Sequence, residues 1–135
     1  MYHLAICTAG FLYAFWLVYV LVMGIYRTYL AGRLTWAMFV LGFPFVIIGG
    51  LMDMLSNATV ATLVCWQRPH EWFVTQRFEK YLRFESPTGL DLWRYNVAKW
   101  VCGHLLNPFD PDGNHCGDAK PLDLLTVPVI KALKE

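Results

Sequence analysis

Between Cys102 and Gly117 the sequence reads CGHLLNPFDPDGNHCG, which packs two cysteines, two histidines and two aspartates around turn-forming residues. Cys102, His104, His115 and Cys116 are a formally complete donor set for tetrahedral zinc. Their spacing argues against it. Residues two apart on a helix point about 200° from each other, so Cys102 and His104 cannot both face one ion unless the helix has ended. Neighbours such as His115 and Cys116 also diverge, and the C-x-x-C or H-x-x-x-H pairing of a strong zinc motif is missing. Calcium fails more cleanly. DPDG resembles the middle of an EF-hand loop with Gly113 sixth, but that register puts Pro108 first and Ala119 twelfth, where acidic ligands are needed. Asp110 and Asp112 are expected to cap backbone N–H groups in consecutive turns. A Cys102–Cys116 disulfide depends on the compartment. Spacing alone favours a core histidine beside a polar loop.

Composition shows what must carry this cluster. The chain has 135 residues and a net charge of +1, with no basic excess to suggest nucleic acid as a partner. Hydrophobic residues make up 57% and charged ones 16%, against about 45–50% and about 25% in soluble domains. The excess lies at one end. No charged side chain occurs from Met1 to Tyr26, and only Asp53 from Leu34 to Trp66. A helix needs about 20 apolar residues to cross the hydrocarbon core. His3–Tyr26 and Leu34–Met52 meet that length, and apolar character resumes after Asp53 as Ala58–Trp66. A domain this small could hardly cover two such helices from water. The fold class expected is therefore an all-α membrane protein with lipid bilayer as its solvent. A transmembrane hairpin occupies 1–66, amphipathic helices 67–106 and an irregular, turn-rich tail 107–135. The first apolar run has no basic region before it and is too long for a signal peptide, so the span is expected to be kept. LAIC at Leu4–Cys7 fails as a lipoprotein box because Ile6 is too bulky.

Within the hairpin, Phe11, Tyr13, Phe15, Trp16 and Tyr19 form an aromatic stripe expected to face lipid or the neighbouring helix. Tyr26, Tyr29 and Trp36 suit an interfacial belt. The link Arg27–Thr35 contains Gly32 and is short enough to force an antiparallel pair. Pro44 removes a donor inside the second helix, and Gly42, Gly49 and Gly50 allow close approach of another backbone. Asp53 and Asn57, four apart, share one helical face. They are either a functional polar pair at membrane depth or groups at the headgroup level. The sequon Asn57-Ala58-Thr59 carries no weight so near a bilayer.

After Trp66 the pattern turns amphipathic. Pro69 is placed to open a helix, with Val74, Phe78, Tyr81 and Leu82 on its apolar face and Arg77, Lys80 and Arg83 on the remainder. SPTG at Ser86–Gly89 is a turn. A further helix over Leu90–Leu106 carries Trp93, Val97, Trp100, Val101, His104 and Leu105 on one face and stops at Asn107-Pro108. Trp72, Arg77, Trp93 and Trp100 are the expected interfacial contacts, on a platform resting at the lipid surface or in a small helical domain projecting into solvent. PLDLLTVPVIKALKE is apolar enough to lie on either. Counting Lys and Arg near the spans gives Arg27 and Arg33 in the link against Arg68, Arg77, Lys80 and Arg83 beyond the second helix. Both termini are therefore expected in the cytoplasm, where the thiols would be reduced. Should the span end at Met52, the vote reverses.

DMLSNATVATLVCWQRPHEWFVTQRFEKYLR, followed by WRYNVAKWVCGHLLNPFDPDGNHC, resembles small membrane proteins that recur in tailed-bacteriophage and prophage genomes. The matching positions are Asp53, Asn57, Thr59, Val60, Pro69, Glu71, Trp72, Thr75 and Arg77, then Cys102, Leu105, Leu106, Pro108, Phe109, Asp110, Pro111, Gly113, His115 and Cys116. The likeness covers Asp53–Cys116, and His104 falls outside it. It implies a phage origin and a host inner membrane, without a mechanism. It also implies that Cys102, His115 and Cys116 belong together, around zinc or as a redox pair.

The leading expectation is a non-enzymatic, multi-pass inner-membrane protein acting through lipid, a membrane-protein partner or copies of itself. Host-envelope modification, exclusion of a second phage, or help to a virion or lysis component would fit. A holin-like pore former is the alternative, although its C-terminal segment is long for that class. A small zinc-binding membrane protein is the second alternative. For an enzyme, Asp53 with Asn57 or His70 with Glu71 could supply acid–base groups, but no nucleophile motif or phosphate loop accompanies them.

Overall fold

The computed structural model describes residues 2–117, which are helices and turns with no strand among them. The reading of 121–135, and of the tail beyond Gly117, lies outside the described residues. Helix α1 (Tyr2–Leu30) ends at Gly32, whose φ of +65° needs no side chain in the way. Gly32 donates to the Tyr29 carbonyl at 2.9 Å and Arg33 to Thr28 at 3.0 Å, the paired bonds that close a glycine-terminated helix. Three residues later Thr35 caps α2 (Trp36–Ser56), its Oγ1 accepting from the Met38 N–H at 3.3 Å. Helix α2 continues through a π-helical turn, Asn57–Ala61, into α3 (Thr62–Cys65), so that Trp36–Cys65 is one 30-residue rod.

Both rods are long and apolar enough to cross a membrane. Little of either is covered: 6% of the most apolar window of the first and 11% of the second is buried. A core helix of a soluble protein would be mostly enclosed. The two rods pack antiparallel, and glycine sets their approach. A Cβ at Gly42 would lie 2.8 Å from Ile25 Cδ1, and one at Gly49 3.3 Å from Val18 Cγ1. Gly42→Leu is therefore expected to weaken the hairpin by about 1–3 kcal/mol, as overpacking does. Gly50→Ala, where nothing lies within 4 Å, should be neutral. Thermal unfolding of the two variants in one detergent checks this.

Helix α4 (Val74–Leu82) starts five residues later than Pro69 suggested. The cause is tertiary. Residues 66–73 run as irregular chain along the second rod, and Asp53 caps the Val74 N–H at 3.0 Å. Phe78 and Tyr81 are buried and Val74 and Leu82 partly so, as their spacing predicts. Helix α5 (Leu90–Val101) runs on as a π-helical turn, Cys102–Leu106, and a 3-10 turn, Asn107–Phe109. Its inward face is only partly the expected one, since Val97 and Val101 do pack against the core. Ala98 and Cys102 are buried, whereas Trp93 and Trp100 are more than half exposed. Small side chains let α5 lie close to α4, and indoles would hold them apart. The core joins Cys65, Phe78, Tyr81, Ala98, Cys102 and Cys116, so packing crosses the boundary between the hairpin and the amphipathic region.

Candidate functional site

Asp53 and Asn57 face the same way, as their spacing requires, and both hold the segment before α4. The Asn57 Nδ2 donates to the Glu71 carbonyl at 2.6 Å while Asp53 caps Val74. Asn57 also opens the π-helical turn. Its carbonyl accepts from Thr62 Oγ1 at 2.8 Å and from Arg77 at 3.3 Å. Widened turns of this kind often occur at functional positions.

Arg77 is the centre of this arrangement and is fully buried. Its Nε donates to the Tyr81 hydroxyl at 2.9 Å. One terminal nitrogen reaches the Asn57 carbonyl, Asn57 Oδ1 at 3.2 Å and Thr62 Oγ1 at 3.4 Å, and the other the Gln67 carbonyl. Tyr81 passes the chain on, donating to Gln67 Oε1 at 2.7 Å, and burial pushes its phenol up from the ordinary value. Among the described residues no carboxylate pairs with Arg77. A guanidinium keeps its charge, so carbonyl and hydroxyl dipoles alone solvate it. The expectation that Arg77 makes interfacial contacts is thus overturned. Spacing held a clue: Arg77 and Tyr81 are four apart, beside Phe78 on the apolar face.

Glu71 and Lys80 pair at 2.8 Å at the edge of the site. Burial raises the Glu71 carboxyl, but the Lys80 bond and charge, with nearby backbone N–H groups, more than offset this and hold it below the ordinary range. A depressed carboxylate contributes stability above its unfolded pKa and loses it as pH falls through the folded one. Lys80 is half exposed, so the contribution is a few tenths of a kcal/mol. Glu71→Gln should remove that small acid-side loss between about pH 5 and pH 3, read from unfolding midpoints.

Two further clusters tie the ends of the C-terminal layer, formed by α4, α5 and the turns that follow it, to the rods. The second rod ends at Trp66, a left-handed residue with φ of 49°, which leaves the last carbonyls without helical donors. Trp93 Nε1 donates to the Val64 carbonyl at 2.9 Å, Arg94 Nε to Cys65 at 2.9 Å, and another Arg94 nitrogen to Trp66 at 3.3 Å. Arg94 is steadied by Asp91 at 2.6 Å. At the other end, Trp16 Nε1 donates to the Leu105 carbonyl at 3.3 Å and the Tyr19 hydroxyl to Leu106 at 2.8 Å. Arg27 donates to Pro108 and Asp110 carbonyls, and Phe109 meets the Trp16 ring edge-on at 5.6 Å. Part of the aromatic stripe on α1 thus satisfies the terminal carbonyls of α5, a role its spacing did not reveal.

The four candidate metal ligands do not converge. Cys102 and Cys116 form a disulfide, with an S–S distance of 2.03 Å. This corrects the expectation of reduced thiols and leaves neither sulfur free for zinc while the bridge stands. The helix has not ended at Cys102, so His104 points away, its Nδ1 2.9 Å from the Trp100 carbonyl and its ring stacked on Trp100. His115 turns to Asp110 at 3.0 Å and meets the Tyr19 ring. Among the described residues no group of three or more His, Cys, Asp or Glu side chains could hold a metal ion. Asp110 Oδ1 caps the Asp112 N–H at 2.9 Å, the expected turn chemistry. Trp72 is exposed, and Trp93 and Trp100 line a shallow groove of about 260 Å³ with Asn96, Val97 and Val101. Set beside known proteins, the chain matches no family model, no curated protein and no solved structure.

Proposed function

We propose that the chain is a non-enzymatic protein of a bacterial inner membrane, built on a two-pass helical hairpin and acting through contacts with proteins or lipid. The observation that carries this reading is where the polar groups are spent. Arg77, Asp53, Asn57, Trp16, Tyr19, Arg94 and the His115–Asp110 pair all satisfy groups of the same chain. Leu41, Leu51 and Leu63 on the second rod stay exposed. A catalytic site needs convergent groups left over for a substrate, whereas a scaffold uses them on itself. The same proposal extends, on the resemblance read from Asp53–Cys116 alone, to a phage-borne protein with a task at the host envelope, such as exclusion of a second phage or assistance to a virion or lysis component.

The Cys102–Cys116 bridge supports contact of the C-terminal layer with an oxidising compartment. The turn that carries Cys116 lies against Tyr19 and Arg27, toward the link between the rods, so an oxidising side there agrees with the link outside and the N-terminus inside the cytoplasm, as counting cations gave. The test is expression of the full chain in bacteria. It should sediment with membranes and resist alkaline extraction, and in a Cys7→Ser background a cysteine placed at the exposed Asn114 should react with an impermeant thiol reagent from the periplasmic side. A monodisperse monomer in the detergent-free supernatant would defeat the membrane reading. Labelling only after lysis would return the layer to the cytoplasm.

A further inference from the structure

The Cys102–Cys116 bond is enclosed, its two residues 2% and 1% exposed, yet the chain that carries Cys116 is an exposed turn. Asp112, Gly113, Asn114 and Gly117 all lie open. The turn also holds itself together. Gly113 donates to the Asp110 carbonyl at 3.2 Å, Asp112 to Asp110 Oδ1 at 2.9 Å and Gly117 to the Asn114 carbonyl at 3.1 Å. His115 closes on Asp110 at 3.0 Å. Among the described residues, every hydrogen bond of 111–117 ends at Asp110 or within that segment. Residues 110–117 can therefore move as one piece without giving up any of these bonds.

What holds the piece down, besides the disulfide, is a small set of contacts with α1. Arg27 donates to the Asp110 carbonyl at 3.2 Å and to the Pro108 carbonyl at 3.3 Å. The His115 ring meets the Tyr19 ring edge-on at 4.9 Å, and the Tyr19 hydroxyl donates to the Leu106 carbonyl at 2.8 Å. Arg27 is exposed, so water competes for its bonds. On the inner side Cys116 joins Cys102, Ala98, Phe78 and Tyr81 in the core. A segment with exposed ties and its own internal bonds opens at less cost than the whole chain unfolds.

We infer that residues 110–117 are a flap, latched on α1 by Tyr19 and Arg27, whose lifting admits a dithiol to the Cys102–Cys116 bond. A thiolate of the dithiol attacks one sulfur, forming a mixed disulfide and releasing the other protein sulfur, which takes up a proton. The second thiol of the reagent then closes the reagent's own disulfide and expels the first protein sulfur as a thiol. Two electrons and two protons pass to the chain, which keeps Cys102 and Cys116 as free thiols. The coupling runs both ways. A ligand or partner that draws Tyr19 or Arg27 away opens the bond to reduction, and reduction loosens the turn on α1. The bond is thus a thiol-responsive latch and not a fixed brace. It works the same whichever way the rods sit in a membrane.

Timed reduction of the full chain in detergent micelles tests this. Dithiothreitol is added, samples are quenched with an alkylating reagent, and peptide masses count the thiols freed at Cys102 and Cys116. Tyr19→Phe, which removes the hydroxyl, and Arg27→Ala should each be reduced several-fold faster than the parent. Arg33→Ala, at an exposed cation of the same link, should keep the parent rate. Urea below the unfolding transition should speed reduction of the parent far less steeply than it populates the unfolded chain, because a lifted flap exposes little surface. That series uses the parent alone and so stands even where a variant fails to fold. Equal rates in the parent and both variants would overturn the latch. A urea dependence as steep as global unfolding would do the same, since it marks a bond freed only when the whole chain opens. So would reduction of the parent as fast as of the chain in full denaturant, which would show that nothing shields the bond.

Discussion

Arg77→Met is expected to destabilise the C-terminal layer by about 3–5 kcal/mol, a large share of the 5–15 kcal/mol that holds a typical domain. The loss comes from what the guanidinium leaves behind. Asn57 Oδ1 and the Gln67 carbonyl lose their Arg77 donor in a buried setting, and an unsatisfied buried group costs about 1–3 kcal/mol. Thr62 still serves the Asn57 carbonyl and Gln67 still serves Tyr81, which keeps the total finite. Arg77→Lys should recover only part of it, because one ammonium cannot reach Tyr81, Asn57 and Gln67 from the directions a planar fork provides. Thermal unfolding in detergent, followed by near-ultraviolet circular dichroism, reads both variants. A methionine variant within about 1 kcal/mol of the parent, below the cost of even two orphaned groups, would show that Arg77 does not organise the site.

Breaking the disulfide is expected to be the next largest perturbation. Cys102 and Cys116 are separated by 14 residues, and closing a loop of that length stabilises by about 3 kcal/mol, chiefly through the unfolded chain. Alanine is the replacement of choice, since both positions are buried and a serine hydroxyl would add an unsatisfied group. The double Cys102→Ala, Cys116→Ala variant should expose the turn around Asp110 to protease and shift Trp16 fluorescence as Leu105 and Phe109 leave it. Dithiothreitol should mimic the variant, while Cys7→Ser, at an exposed free thiol, should change nothing. Equal protease resistance in the reduced and oxidised protein would show that the α1 contacts hold the segment unaided.

These two effects arise in the parts of the chain that were hardest to read. Arg77 falls among Val74, Phe78 and Tyr81 on the apolar face of α4, which marks it as out of place without naming a partner, and only the approach of α2 with its π-helical turn encloses it. The zinc set, the EF-hand likeness and the disulfide all drew on one stretch, and local spacing could not rank a bond between residues 14 apart.

By itself the order of residues determined the two long apolar helices, the glycine-ended link between them, the Val74–Phe78–Tyr81 face and the turn at Asp110. Each of these follows from side chains within one or two turns of each other. Tertiary structure alone decided that the C-terminal layer lies along the rods, that Ala98 and not Trp100 faces inward, and that Trp16 and Arg94 finish helices other than their own. Those contacts join residues up to 89 positions apart. Their energy comes from satisfying buried polar groups, whose partners periodicity does not name.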